Sequence, residues 1–180
     1  LAHRAGLPLD EADIRAGLAA ARWPGRFERL EADGVEIVLD GAHTPAAAQA
    51  LAASLAAAYP GRPAHVVLGI SRDKDAAALA RALAPIAASF VATRSTNPRA
   101  ADAMAVEQAI ADADLGIAVT RAAPVADALT LALARARDDA RPLVVVTGSL
   151  FVVADTRETL GLGVGEPFGP PVVGSPPPIR

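Results

Sequence analysis

Residues 35–58 read VEIVLDGAHTPAAAQALAASLAAA, and the stretch changes character in its middle. Val35-Glu36-Ile37-Val38-Leu39 is short, apolar and β-branched, which suits a pleated strand. The alanine-rich run from Pro45 onward reads as a helix. Thr44-Pro45 is a start signal for it, a hydroxyl N-cap followed by a residue that lacks an N–H where none is needed. Asp40, His43 and Thr44 sit at the corner, in a chain that has only three histidines.

The strand–helix alternation repeats along the chain. Strands are expected at 65–70, 89–93, 116–120 and 143–147, separated by alanine-rich helices at about 45–58, 74–84, 103–112 and 124–137. A last helix is expected from Leu150 to about Leu160. Upstream, Leu9 to Ala21 reads as a helix with Asp10 as N-cap and Ile14, Leu18 and Ala21 on one face. Phe27–Ala32 and Val35–Leu39 flank Asp33-Gly34, the strongest short hairpin signal. Apolar strands alternating with helices mean crossover units in a mostly parallel sheet, covered on both faces. The expectation is therefore a doubly wound, Rossmann-like α/β domain of about six strands with an antiparallel hairpin at its start. Residues 1–22 form a leading helix and linker, 23–162 the α/β domain, and 163–180 a Pro/Gly-rich flexible tail.

Composition narrows the function classes. The 180 residues suffice for one domain with a proper core; they are 52% hydrophobic but only 3% aromatic, so Ala, Leu, Val and Ile must fill it. A net charge of -3 with no basic stripe disfavours nucleic-acid binding. No apolar run is long enough to cross a membrane as a helix. With no cysteine, disulfides and Cys-ligated metals are excluded, and a reducing cytoplasm fits. The chain starts at Leu1 without methionine or a signal-peptide pattern, so a piece of a longer polypeptide is expected.

Ligands of open α/β sheets bind beyond the carboxyl ends of the strands. The corners there are 40–45, 71–75, 94–99, 121–124 and 147–149, and all should open on one edge. At the first, Asp40 and Thr44 either brace the turn or contact a ligand, with Gly41 permitting close approach. At the second, Asp73-Lys74-Asp75 is either helix-start decoration or an anion site. Lys74 is the chain's one lysine, and a lysine opposes the helix dipole at that place. Thr147-Gly148-Ser149 suits a carboxylate or phosphate oxygen and equally a capped turn. Asn97-Pro98-Arg99 reads as loop structure with Arg99 at the rim, and His3 and His65 as structural. There is no Gly-x-Ser-x-Gly elbow, no Gly-x-x-x-x-Gly-Lys-[Ser/Thr] loop, no Gly-x-Gly-x-x-Gly after the first strand, and no metal-ligand spacing. Residue chemistry alone reaches an anion-binding edge of an α/β domain.

Arg22-Trp23-Pro24-Gly25-Arg26-Phe27-Glu28, Leu39-Asp40-Gly41-Ala42-His43-Thr44-Pro45, Asp73-Lys74-Asp75 and Val146-Thr147-Gly148-Ser149-Leu150, in that order, resemble the C-terminal domain of folylpolyglutamate synthase/dihydrofolate synthase, a branch of the Mur ligases. The resemblance runs from about Leu7 to Gly161. The family pattern has Asn where this chain has Thr44, which keeps a donor, an acceptor and the cap.

The resemblance implies an ATP-dependent ligase that joins L-glutamate to a folate or dihydropteroate carboxylate through an acyl phosphate. Carried over by motif, Arg26 reaches the ATP phosphates and Asp40 the ribose. His43, Thr44, Lys74 and Ser149 bind the incoming glutamate, with Lys74 and His43 as the catalytic pair. ATP and Mg²⁺ are held mainly by a preceding ATPase domain of the same polypeptide, so the isolated chain is expected to be inactive and monomeric. The rival readings are a cell-wall Mur ligase domain and a stand-alone α/β binding module.

Overall fold

A computed structural model describes residues 10–21, 23–141 and 143–162. The expected tail lies outside these residues, as do Leu9 and Arg22.

Helix α1 (Glu11–Ala20) begins with a reciprocal cap. Asp10 accepts from the Asp13 N–H at 2.8 Å, and Asp13 accepts from the Asp10 N–H at 3.0 Å. None of its residues is buried, and Ile14 and Leu18 are 53% and 72% exposed. The chain then forms a hairpin of β1 (Glu28–Ala32) and β2 (Val35–Leu39). Asp33 and Gly34 both have positive φ, 54° and 76°, the geometry of the turn that matches strand twist. β1 starts one residue later than expected because Phe27 also has positive φ, 44°.

Helix α2 (Pro45–Ala58) follows, then β3 (Ala64–Leu68), α3 (Ala76–Leu83), β4 (Ala87–Ala92), α4 (Ala103–Ala111), β5 (Val119–Arg121), α5 (Val125–Ala136), β6 (Leu143–Thr147) and α6 (Leu150–Thr159). Helix α3 begins two residues after Lys74, because Asp75 is the residue whose side chain caps it, accepting from the Ala78 N–H at 2.9 Å. Lys74 therefore belongs to the loop. β5 is shorter and later than the 116–120 expected, since Gly116 has φ 66° and breaks the extended run.

The sheet order is β1-β2-β6-β3-β4-β5. β1 is antiparallel to β2, and every other neighbour pair is parallel. The last strand thus lies between β2 and β3, with Val38 opposite Val145 and Val66 opposite the same residue. Alternate residues feed two cores. Val38, Val66, Leu68, Phe90 and Val145 pack under α2, α3 and α4, while Ile37, Leu39, Val67, Val91 and Val146 pack under α5 and α6. Burial on both faces explains strands that are apolar throughout. Because β2 to β6 run the same way, all five corners open on one edge, as the topology rule required.

Candidate active-site edge

At the corner after β2, both carboxylate oxygens of Asp40 are used locally. They accept from the N–H groups of Phe27 and Ala42, each at 2.8 Å. Asp40 thereby ties the Trp23-Pro24-Gly25-Arg26 turn to the DGAHTP corner. The turn is tied twice more: the Gly41 N–H donates to the Gly25 carbonyl at 2.9 Å, and the Gly25 N–H to Glu28 at 2.8 Å. Glu28 is anchored in turn by a partly buried ion pair with Arg157 on α6. A side chain at Gly41 would overlap the Arg26 guanidinium and Leu150, so only glycine lets Arg26 lie across this corner.

His43 is exposed, and its Nδ1 is 2.8 Å from the Gly41 carbonyl. A carbonyl only accepts, so Nδ1 carries the proton. In the neutral ring, that leaves the Nε2 lone pair for a ligand. Thr44 caps α2 by accepting from the Ala47 N–H at 3.2 Å.

The corner after β6 is bonded directly onto this one. The Ala42 carbonyl accepts from the Gly148 N–H at 2.9 Å and from the Thr147 hydroxyl at 3.3 Å. Gly148 has φ 99°, and a Cβ there would stand 2.5 Å from the Gly69 carbonyl oxygen and 2.8 Å from Leu68. Ser149 is buried and caps α6, accepting from the Phe151 N–H at 3.1 Å. Its own O–H remains to donate.

The corners after β3 and β4 are zipped together. The Arg72 N–H donates to the Arg99 carbonyl at 3.0 Å, the Arg72 guanidinium to the Pro98 carbonyl at 2.8 Å, and the Ala101 N–H to the Ile70 carbonyl at 2.9 Å. Asn97, the chain's one asparagine, accepts from the Arg99 N–H at 2.9 Å, the local turn this residue type favours. Lys74 is half-buried, with Nζ 3.0 Å from Asp73, whose other oxygen is 3.7 Å from Arg99. The hydrogen bond from Lys74 holds the Asp73 carboxyl below the usual carboxylate range, with the Arg99 charge adding to it. An ammonium bears more donors than this pair uses, so Lys74 keeps capacity for an incoming anion.

Arg26, Asp40, His43 and Thr44 thus share one corner. Ser149 joins it through Ala42 and Gly148, and Lys74 occupies the next corner, linked to β6 where the Gly69 N–H meets the Thr147 carbonyl at 3.3 Å. Sequence reading missed Asp155 and Arg157. Asp155 accepts the N–H and O–H of Thr96 at 2.7 and 2.9 Å. Their signal was present as two charged residues in a helix whose preceding turn, Val152-Val153, is apolar. Their partners lie 59 and 129 residues away, beyond local patterning.

Two polar clusters lie at the opposite edge. Glu36 accepts from Tyr59 at 2.6 Å, from Arg62 at 2.8 Å and from the Arg29 guanidinium. Both guanidinium groups stand about 5 Å from the Tyr59 ring centroid, at 5.2 and 5.1 Å. Burial raises the Glu36 carboxyl, but the hydrogen bonds from Tyr59, Arg29 and Arg62 outweigh it and hold the net value below the ordinary one. His65 stands 2.8 Å from the Ser89 hydroxyl and 3.0 Å from Asp139. That gives the expected structural histidine its partners. Ser89 is buried within a strand, so the trio is a brace, not a nucleophile site.

The family described as "Mur ligase, glutamate ligase domain" matches residues 25–150. The chain belongs to that family. This Mur ligase domain is 43% identical over 150 residues to a probable bifunctional folylpolyglutamate synthase/dihydropteroate synthase of Halobacterium salinarum, covering 83% of the chain and 18% of the relative. It is 34% identical over 164 residues to a dihydrofolate synthase/folylpolyglutamate synthase of Mycobacterium tuberculosis, covering 85% of the chain and 34% of the relative. A crystal structure of Mycobacterium tuberculosis folylpolyglutamate synthase complexed with ADP and AMPPCP superposes with a TM-score of 0.76 at 34% identity. It covers 89% of this chain and 37% of that one. The Mur ligase domain therefore spans about a third or less of the relatives it matches.

Among the described residues no three His, Asp or Glu side chains converge as candidate metal ligands. No helix among them is long and apolar enough to cross a membrane.

Proposed function

We propose that this chain forms the amino-acid side of an ATP-dependent carboxylate–amine ligase. It is the C-terminal domain of an enzyme joining L-glutamate to a folate or dihydropteroate carboxylate. The observation that carries the reading is the bonding of the Thr147-Gly148-Ser149 corner onto Ala42 of DGAHTP, with Lys74 in the adjoining corner. Two donors, Lys74 and the Ser149 hydroxyl, and one acceptor, Nε2 of His43, from three strands stand on this edge.

In the reaction, the γ-phosphoryl group of ATP passes to the acceptor carboxylate, leaving ADP and an acyl phosphate. The glutamate amine, having lost a proton, attacks the acyl carbon. A C–N bond forms, the C–O bond to phosphate breaks, and phosphate departs with the electron pair and takes up the proton that the amide nitrogen sheds. Lys74 and the Ser149 hydroxyl hold the glutamate carboxylates and meet developing negative charge. His43, fixed through Nδ1, offers Nε2 to the amine. Arg26, exposed beside Gly41, reaches the nucleotide phosphates. Asp40 spends one lone pair of each oxygen on the backbone and has others for a ribose hydroxyl. Mg²⁺ and the phosphate loop fall to the remainder of a longer polypeptide, which closes on this edge and excludes water from the acyl phosphate. The isolated chain binds glutamate weakly and turns nothing over.

The test is an isotope-labelled chain titrated with L-glutamate. Amide signals of His43, Lys74 and Ser149 are expected to move together. If these three stay still while others move, the assignment of the edge fails.

A further inference from the structure

Lys74 sits in the loop between β3 and α3, where its N–H donates to the Ser71 carbonyl at 3.0 Å and Asp75 caps the helix that follows. A second restraint on this loop reaches back to α6. Asp155 takes both the N–H and the hydroxyl of Thr96, at 2.7 and 2.9 Å. Asn97 then closes a turn onto the Arg99 N–H, and the 98–101 segment is stitched to residues 70–72 by three hydrogen bonds. Arg99 in turn faces Asp73, the partner of Lys74. The helix that bears Asp155 is the one capped by Ser149. Six residues of a rigid helix, about 9 Å at 1.5 Å per residue, therefore separate the cap from the clasp.

We propose that Asp155 is a positioning residue that sets Lys74 relative to Ser149 through the Thr96–Arg99 loop. The consequence for glutamate rests on the function proposed above. The clasp is bidentate and charge-assisted, the strong form of hydrogen bond, and it ties α6 to the loop that follows β4. Its role is to make two corners move as one unit, so that both ends of an amino acid meet groups at a fixed spacing.

Lys74 is the one lysine, so lysine labelled with ¹³C reports a single side chain. Asp155→Ala and Thr96→Val are expected to shift the ligand-free Lys74 Cε signal in the same direction, and Thr96→Ser, which keeps the hydroxyl, to restore it. The double variant is expected to match Asp155→Ala, because that change already removes both bonds whereas Thr96→Val removes only the one from the hydroxyl. Glutamate affinity should fall about tenfold, the loss of roughly one charged hydrogen bond. A folded Asp155→Ala or Thr96→Val protein whose Lys74 signal is unmoved overturns the proposal. Should Asp155→Ala fail to fold, Thr96→Val alone decides, since it removes only a hydroxyl. The ligand-free signal judges the clasp, whereas a wild-type Lys74 signal indifferent to glutamate sinks the function instead.

Discussion

Replacing Gly148 by alanine tests how tightly the edge is built. Two costs follow from its surroundings. At φ 99° a residue with a Cβ is strained, by about 1–3 kcal/mol for sparsely populated backbone regions. The Cβ would also stand 2.5 Å from the Gly69 carbonyl oxygen and 2.8 Å from Leu68, which is fully buried. Neither neighbour yields easily: one is backbone at an adjoining corner, the other is core. Overpacking of this kind costs about 1–3 kcal/mol. The sum is about 4 kcal/mol, which in a domain of this size lowers Tm by about 8–16 °C. Gly161→Ala is the control, because φ there is also positive, at 75°, but none of the described residues lies within 4 Å of the added methyl. It should show the backbone cost alone. Thermal unfolding followed by circular dichroism on both variants separates the two contributions. If Gly148→Ala loses no more than Gly161→Ala, the close contact between the β3 and β6 corners is not what holds them.

Glu36→Gln should cost about 2 kcal/mol at neutral pH, a charged hydrogen-bond network discounted for partial exposure. The folded carboxyl titrates below its ordinary 4.5, so its stabilisation is complete above that value and is lost as pH falls through the lower folded one. Denaturation midpoints of the two proteins should therefore differ at pH 7 and converge in acid; a gap that persists well below pH 4 would contradict this. Ser149→Ala removes the α6 cap and should cost about 1 kcal/mol, read by urea unfolding, while also weakening any glutamate response. Lys74→Met, at a half-exposed loop position, should change stability by no more than about 0.5 kcal/mol yet abolish glutamate-induced shifts at His43 and Ser149. Intact shifts in that variant would place the anion elsewhere.

Local chemistry made much of this molecule legible. Thr44-Pro45 and the following alanines specify α2 to the residue, and Asp33-Gly34 specifies the hairpin, because both signals act within four residues. A helix is expected from about residue 74, but Asp75, whose side chain takes the Ala78 N–H, is the cap, and Lys74 stays in the loop. Gly116 could have closed a turn or opened a strand; its positive φ chooses the turn and shortens β5. For the site, residue types named the corners but not their mutual bonding. Ala42 offers no side-chain signal, yet its carbonyl is where the first and last corners meet. The Asp155–Thr96 clasp and the Glu28–Arg157 pair depend on proximity created by the whole sheet, which no local pattern encodes.

The placement of the final strand has a consequence for how the chain comes to be folded. β6 sits between β2 and β3, so these two have no contact in the sheet until residues 143–147 have left the ribosome. Pairing across more than a hundred residues carries a large loop-closure cost and makes for slow folding. A nascent chain stopped near residue 140 would present two apolar strand edges with nothing between them, the kind of surface that invites aggregation. The same strand carries Thr147 and leads into Ser149. The last strand of the described sheet to be synthesised is therefore also the one that joins its corners, and a chain stopped before it can neither settle its sheet nor bring Ser149 to Ala42.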